Sequence, residues 1–364
     1  MNLKLLAFGC AVKTSADYLR RFEVPIISLL LAFLFWPCTV YSQTPFYQGK
    51  TLRLVAGTPA GSVYDLYARM VAQFIGKYIP GNPNVIVQNM PGVASMVAAN
   101  YIYTVAKPDG LTIGSIQPAL YFDQLVGRKE VQFDWKKFTW IGNTTVSHLL
   151  LYMRGDAPYK TIEDIRKAAV PPKCGAEGTA SSAYYLPRLL EETIGAKFNV
   201  VLGYNSGTDV DLAVERGEVQ CRAFTVAAFF AREPFITWRK KGFVRVIVQT
   251  GKQRDPKLPD VPALQELMEQ NKTGEAGRRL AAVILAANEF GRPIIATPGL
   301  PPDRVKILRA AFIKTINDPD LLEDAKKKRL DLDPVSGEEL ESLAREIMVQ
   351  PPDVIERMKK LLGT

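Results

Sequence analysis

The order strand, small-residue loop, helix, strand, loop, helix, strand occurs twice in this chain, and that repeated order restricts the fold more than any other feature. The first copy runs from residue 51 to 117. Leu52, Leu54 and Val55 give an apolar strand, and residues 57–61 (GTPAG) carry turn chemistry. From Ser62 the period becomes helical, with Leu66, Met70 and Phe74 at i+4 spacing; Ser62 is the expected N-cap, with Asp65 three residues on. Residues 84–88 (NVIVQ) predict a second strand and residues 89–92 (NMPG) a loop. A helix follows from about Ser95 to Ala106 with Ala98, Ala99 and Ile102 inward, and residues 112–116 form a third strand. The second copy has a strand ending at Lys173-Cys174-Gly175, a loop at 175–182 (GAEGTASS) and a helix to Ile194. A strand at 198–202, a loop at 203–207, a helix at 209–216 with Leu212 and Val214 inward, and a strand at 219–224 complete it. Strands joined through helices in this way are parallel members of a wound sheet. The spacing implies two lobes of one architecture.

Between the copies, FTWIGNTTVSHLLLYM has apolar residues on both sides of a polar NTTVS bend, as a crossover between lobes would. Residues 244–249 (VRVIVQ), followed by PKLPDVP, predict a second crossing. Two crossings make a hinge. The remainder reads as helices with a strand at 293–296, each helix opened by a Pro, Asp or Ser-Gly-Glu-Glu signal, and is expected to pack on the first lobe.

The net charge is +9, and its only dense run, Lys326 to Arg329, falls on a predicted helix as a solvated face. Nucleic-acid binding would need a wider basic stripe interleaved with aromatics. One histidine, His148, argues against histidine triads and metal clusters, and no G-x-S-x-G, P-loop or H-E-x-x-H segment is present. The reading is therefore not an enzyme, with no cofactor and no metal. Residues 24–36 form an apolar run too short to span a bilayer comfortably, and Val40-Tyr41-Ser42 suits a cut after Ser42. A secretory signal peptide over residues 1–42 is expected, the alternative being an uncleaved anchor, and the mature chain is expected in the periplasm. Cleavage would remove Cys10 and Cys38 and keep Cys174 and Cys221, either as two buried thiols, the favoured reading, or as a disulfide.

The segment Pro59-Ala60-Gly61-Ser62-Val63-Tyr64-Asp65 with Ala68-Arg69 resembles the P-x-G-G-G-x-D…A-R segment of the substrate-binding receptors of tripartite tricarboxylate transporters, the Bug proteins. Asn89-Met90-Pro91-Gly92 is similar to their N-x-P-G loop, Pro108-Asp109-Gly110 to their P-D-G turn, and Leu258 to Pro262 to their L-P-D-V-P segment. Gly203-Tyr204 with Gly207 is similar to their second-lobe loop. The resemblance implies an α/β, two-lobed periplasmic-binding-protein fold of type 2, the Venus flytrap, each lobe a wound mixed sheet flanked by helices. It implies a monomeric receptor that hands a small organic acid to integral-membrane permease subunits; presentation of the ligand to a membrane signalling kinase is the alternative. Lobe 1 is expected over 43–143 and 251–364, lobe 2 over 144–250. Ser62, Val63, Tyr64, Ala180 and Tyr184 depart from the family pattern, so the resemblance does not imply citrate as ligand.

The ligand site follows from helix N-termini, whose free N–H groups and dipole favour an anion. Four such termini, after Gly61, Gly92, Gly178 and Gly207, are expected to face one cleft and to hold a carboxylate without an arginine. Ser62, Ser95, Thr179, Ser181, Ser182 and Ser206 are the hydroxyl candidates, each equally able to cap its own helix. Asp65 and Asp209 lie in first turns, Asn89 in the second loop, and Tyr64 and Tyr204 are candidate walls. Gln117 and Tyr121 follow the third strand, where ligands of wound sheets bind, and Thr145 lies on the crossover. Glu177 would repel an anion, so it is expected to point to solvent or else to select a ligand with a positive group.

Overall fold

Leu52, Leu54, Val55 and Ala56 are all fully buried, so the first strand is covered on both faces, as a parallel strand in a wound sheet must be. The computed structural model describes residues 44–178, 181–204 and 206–363. The signal-peptide reading and Thr179 fall outside these residues. In chain order the elements are β1 (Thr51–Ala56), α1 (Val63–Ile75), β2 (Asn84–Asn89), α2 (Met96–Thr104), β3 (Thr112–Ser115), α3 (Leu120–Leu125), β4 (Thr139–Asn143), β5 (Leu149–Arg154), α4 (Ile162–Lys167) and β6 (Lys173–Ala176). Then come α5 (Ser182–Ile194), β7 (Asn199–Leu202), α6 (Gly207–Arg216), β8 (Cys221–Thr225), α7 (Val226–Ala231), α8 (Phe235–Lys240), β9 (Val244–Gln249), α9 (Leu264–Gln270) and α10 (Glu275–Phe290). The chain ends with β10 (Pro293–Ala296), α11 (Pro302–Ile316), α12 (Pro319–Lys328), β11 (Val335–Ser336), α13 (Gly337–Ile347) and α14 (Pro352–Leu362).

The strands form two mixed sheets, one in the order β11-β4-β10-β3-β1-β2 and one in the order β7-β6-β8-β5-β9. In the first, β2, β1 and β3 are parallel and β10 runs antiparallel beside β3. In the second, β7, β6 and β8 are parallel and β5 runs antiparallel beside β8. The two copies read from sequence thus become the same four-strand arrangement, and α1, α2, α5 and α6 each leave the carboxyl end of a parallel strand. One inward position differs from expectation. On α6 it is Val210, Ala213 and Val214 that are buried, while Leu212 is 42% exposed. The i, i+3, i+4 stripe from Val210 sets the buried face and turns Leu212 away from it.

The C-terminal third does not all lie on the first sheet, as expected from sequence. Leu308 and Phe312 of α11 do pack with Ile141 of β4, and Leu321 and Ala325 of α12 pack with Tyr67, Met70 and Phe74 of α1. Helices α9, α10 and α14, however, lie against α5, with Leu267, Leu280, Met358 and Leu361 in one cluster with Leu186, Leu189 and Leu190. The amphipathic pattern specified that these helices have one apolar face; it did not specify which sheet's helices would cover it.

Cys174 and Cys221 stand opposite each other on β6 and β8, with Cα atoms 4.5 Å apart, and form a disulfide. This corrects the expectation of two free thiols. The residues are 47 apart in sequence, and only the pairing of β6 with β8 brings them together. Closing a loop of that length removes denatured-state entropy worth about 2–4 kcal/mol. The double substitution Cys174→Ala/Cys221→Ala is expected to lower the unfolding free energy by that much, read as a lower urea midpoint, without changing the secondary structure seen by circular dichroism. An unchanged midpoint would argue against the bond in the working protein.

Candidate functional site

The loop after β1 is held by one buried carboxylate. Asp65, 1% exposed, accepts from the Gly61 N–H (2.7 Å) and Arg69 Nε (2.8 Å) on Oδ2, and from Asn89 Nδ2 (2.8 Å) on Oδ1. Asn89 also donates to the Thr58 carbonyl and accepts from Arg69 Nη2, so the loops after β1 and β2 are tied together. The carboxyl is held below the usual carboxylate range: burial alone would raise it, but the hydrogen bonds from Arg69, Asn89 and Gly61 outweigh burial. Ser62 caps α1 through the Asp65 N–H and lies 2.7 Å from Thr58 Oγ1. Asp65, Asn89 and Ser62 therefore shape this loop.

The second loop is not the simple N-cap that the sequence suggested. Val93, Ala94 and Ser95 all have positive φ, and Gly92 has φ 148°. Ser95 is buried and its Oγ donates to the Gly57 carbonyl (2.9 Å), fastening this turn to the first loop. Tyr121 is also taken up internally. Its ring packs with Phe122, Trp135 and Phe290, and its hydroxyl donates to the Val283 carbonyl. An aromatic at the second position of a short helix after β3 has the core as its nearest apolar surface. Gln117 is partly exposed at the end of β3.

In the second sheet, Gly178 is partly exposed and a Cβ there would meet nothing within 4 Å. Ser181 occupies the N-cap position of α5, yet its side chain does not cap the helix, and its buried Oγ has no hydrogen-bond partner among the described residues. Ser182 donates to the Ala223 carbonyl (3.4 Å). Ser206 caps α6 through the Asp209 N–H and donates to the Asp209 carboxylate. Tyr204 is partly buried and packs on the core beneath β6, where a Cβ on Gly175 would lie 3.2 Å from its ring. Gly207 sits directly over Arg222: a Cβ there would come 1.9 Å from Nη2. Glu177 neither points to solvent nor stands free. Its Oε1 lies 3.3 Å from Arg222 Nη2, and Arg222 Nη1 is 2.7 Å from both oxygens of Asp211. The repulsion expected of Glu177 is thus already compensated by an arginine 45 residues away.

The two sheets are joined at a bonded crossing. Residues 144–148 carry the chain from β4 to β5, and Gly291 and Arg292 bring it back into the first sheet between α10 and β10. The return therefore lies well beyond residues 244–249, which form the edge strand β9. Asn143 ties the passages together: its Oδ1 accepts from the Thr145 N–H (2.6 Å) and the Arg292 N–H (3.3 Å), and its Nδ2 donates to the Glu289 carbonyl. Thr145 is buried here, and the Ser147 N–H donates to the Asn288 carbonyl. Arg292 then extends its guanidinium over the Tyr64 ring, 4.2 Å from its centroid, donating to Tyr64 Oη (3.3 Å) and Ser147 Oγ (3.0 Å). Tyr185, in the first turn of α5, is buried and packs edge-on against Phe122 of α3. Burial raises its hydroxyl pKa; Tyr64 adds to that and Arg292 opposes it.

A family model described as the tripartite tricarboxylate transporter family receptor matches residues 67–359. The chain belongs to that family. The receptor is 26% identical over 324 residues to the UPF0065 protein in the gbd 5' region of Cupriavidus necator, covering 87% of this chain and 90% of that one. Its fold is that of a TctC solute binding protein from Polaromonas solved with no ligand (TM-score 0.65, 20% identity, 87% of this chain and 99% of that one). It is also that of an R. palustris protein solved with adipate (TM-score 0.61, 17% identity, 86% and 98%). The two-lobed α/β fold and the family expected from sequence both hold.

The receptor's sequence did not reveal Arg292 or Tyr185 as site residues. The one signal was a charged residue between Gly291 and Pro293 in an otherwise apolar run from Leu285 to Ala296, broken also by Asn288 and Glu289. A cavity of about 570 Å³ lined by His148, Lys252, Arg278 and Met268 contains none of the loop residues above. Among the described residues no helix is long and apolar enough to cross a membrane.

Proposed function

We propose that this receptor works in the periplasm, captures a small carboxylate-bearing solute between a lobe built on the first sheet and one built on the second, the latter taking residues 144–290 and α14 rather than ending at residue 250, and delivers it to membrane permease subunits. The observation that carries this reading is the placing of Tyr64, a first-turn residue of α1, against Arg292 and Ser147 at the bonded crossing between the two sheets. A helix N-terminus at the hinge between two lobes is suited to an anion that touches both. The family model supports the transport role, and the neighbour solved with adipate supports a carboxylate ligand. Gly178 and Ser181 supply open backbone and an unspent hydroxyl, with Thr179 between them in sequence, and Gly61 leaves open space beside the first loop. Ser62, Asp65, Asn89, Ser95, Ser206 and Asp209 keep the loops in shape.

A ligand that contacts both lobes only when they are closed shifts the population toward closure. A thermal-shift screen of mono-, di- and tricarboxylates on the mature chain is expected to raise the midpoint, since ligand at a hundredfold over its Kd adds roughly 2.7 kcal/mol. Small-angle scattering at saturation is expected to show a smaller radius of gyration. No midpoint change with any acid would sink the ligand class, and an unchanged radius would sink closure. Uptake of the identified acid into vesicles carrying the permease, with and without the receptor, tests delivery.

A further inference from the structure

Two arginines are buried among the described residues, Arg222 and Arg292, each 8% exposed. Their surroundings are opposite. Arg222 is neutralised by Asp211 at 2.7 Å and Glu177 at 3.3 Å. None of the ion pairs among the described residues includes Arg292. Its Nη1 meets only neutral acceptors, Ser147 Oγ, Tyr64 Oη and the Gly291 carbonyl. Its Nε is buried and has no hydrogen-bond partner among the described residues. A guanidinium cannot shed its charge by titration, so a buried one without an anion is costly, and natural proteins pair such charges.

Everything around Arg292 fixes its position. Its backbone N–H is bonded to Asn143, and Gly291 before it lies against the Thr145 carbonyl so closely that a Cβ would come to 1.7 Å. The Tyr64 and Tyr67 rings hold the guanidinium at 4.2 and 5.8 Å from their centroids. It is rigid and dry, at the crossing between the sheets and next to the first turn of α1, and Ser147 and Tyr64 engage Nη1 while Nε stays unused. Nε and Nη2 form the edge of the fork that takes a carboxylate in two parallel hydrogen bonds.

We propose that Arg292 is the counter-ion of the solute's carboxylate: a ligand carboxylate binds the Nε edge of Arg292 over Tyr64 and supplies the charge that the fold withholds. This rests on the receptor reading above and adds a specificity-determining residue to it. It also reverses the expectation that the site would hold an anion with backbone groups alone. The required ligand carries a carboxylate that can reach the hinge; a neutral amide of the same shape leaves the guanidinium unpaired and is rejected.

The test compares the mature wild-type chain with Arg292→Met and Arg292→Lys, by calorimetric titration with adipate, malate, citrate, hexanoate and adipamide, and by thermal unfolding without ligand. For the acids that bind the wild type, Arg292→Met is expected to weaken binding on the order of 100-fold and Arg292→Lys about tenfold. Ligand-free Arg292→Met is expected to unfold at or above the wild-type temperature, because an unpaired buried charge has been removed. A purely structural arginine gives the opposite pattern, a lower ligand-free midpoint with acid affinity unchanged in the folded fraction, and that result would overturn the inference while leaving the receptor reading in place. Wild-type binding of adipamide as tightly as adipate would also overturn it. Failure of the wild type to bind any of the acids removes the receptor's ligand class and this inference with it. Should Arg292→Met not fold, the wild-type Nε–H resonance, assigned by its absence in Arg292→Lys, is expected to move on saturation with the acid that binds; an unmoved resonance overturns the proposal.

Discussion

Gly291→Ala is expected to be the most damaging single substitution at the crossing, lowering stability by more than about 4 kcal/mol or preventing folding altogether. Two independent constraints act there. The backbone is at φ +49°, ψ −98°, outside the regions that an L side chain adopts readily. A Cβ would also stand 1.7 Å from the carbonyl oxygen of Thr145, a residue whose N–H is held by Asn143 Oδ1. The strain can be relieved only by separating the two passages between the sheets, which breaks the contacts of Asn143 and displaces Arg292. Gly178→Ala is the matched control: its Cβ meets nothing within 4 Å and its φ is not in the left-handed region, so a change within about 0.5 kcal/mol is expected. Chemical denaturation of the two variants checks both. If Gly291→Ala matches the wild type, the close approach of the two passages is wrong.

Asp65→Ala is expected to cost about 3–5 kcal/mol and to reduce ligand affinity at least tenfold. Three donors converge on this carboxylate, and removing it strands the Gly61 N–H, the Asn89 amide and one edge of Arg69. Asparagine is no rescue. Donors face both oxygens of Asp65, so an amide placed either way sets its own NH₂ against a donor. The pH dependence has a definite sign. The folded carboxyl titrates below its unfolded value, so the stability it provides is present above the unfolded pKa of about 3.9 and is lost as pH falls through the folded value. The gap between wild type and Asp65→Asn is therefore expected to be full at pH 7 and to narrow below pH 4. A gap that does not change with pH would mean that the carboxylate's charge is not what holds the loop.

Much of the fold was legible because it is local. The i+4 stripe of α1, the Ser62 cap, the Ser336 and Glu339 capping box on α13 and the Asp318 cap of α12 all depend on residues within four positions of each other. The doubled order of strands and helices could be read for the same reason. The site was legible only in part. The loops at Gly61, Gly178 and Gly207 were found by composition, but whether each serine in them was used or free was not. Ser62 and Ser206 cap their helices, Ser95 crosses to Gly57, and Ser181 Oγ stays unpartnered. A hydroxyl's partner depends on which other loop lies within 3 Å, and no local spacing encodes that.

By itself, the sequence determined the two wound units, the polar bend between β4 and β5, the starts of the helices and the family. These follow from hydrophobic period, turn residues and capping, which act over a few residues. The tertiary structure alone decided that Cys174 meets Cys221, that α9, α10 and α14 pack on the second sheet's helix α5, and that Glu177 is neutralised by Arg222. It also decided that Arg292 reaches Tyr64, 228 residues away, and enters no ion pair among the described residues. Each of these pairs elements far apart in the chain, and burial charge by charge is settled only when the surfaces that exclude water have closed around it.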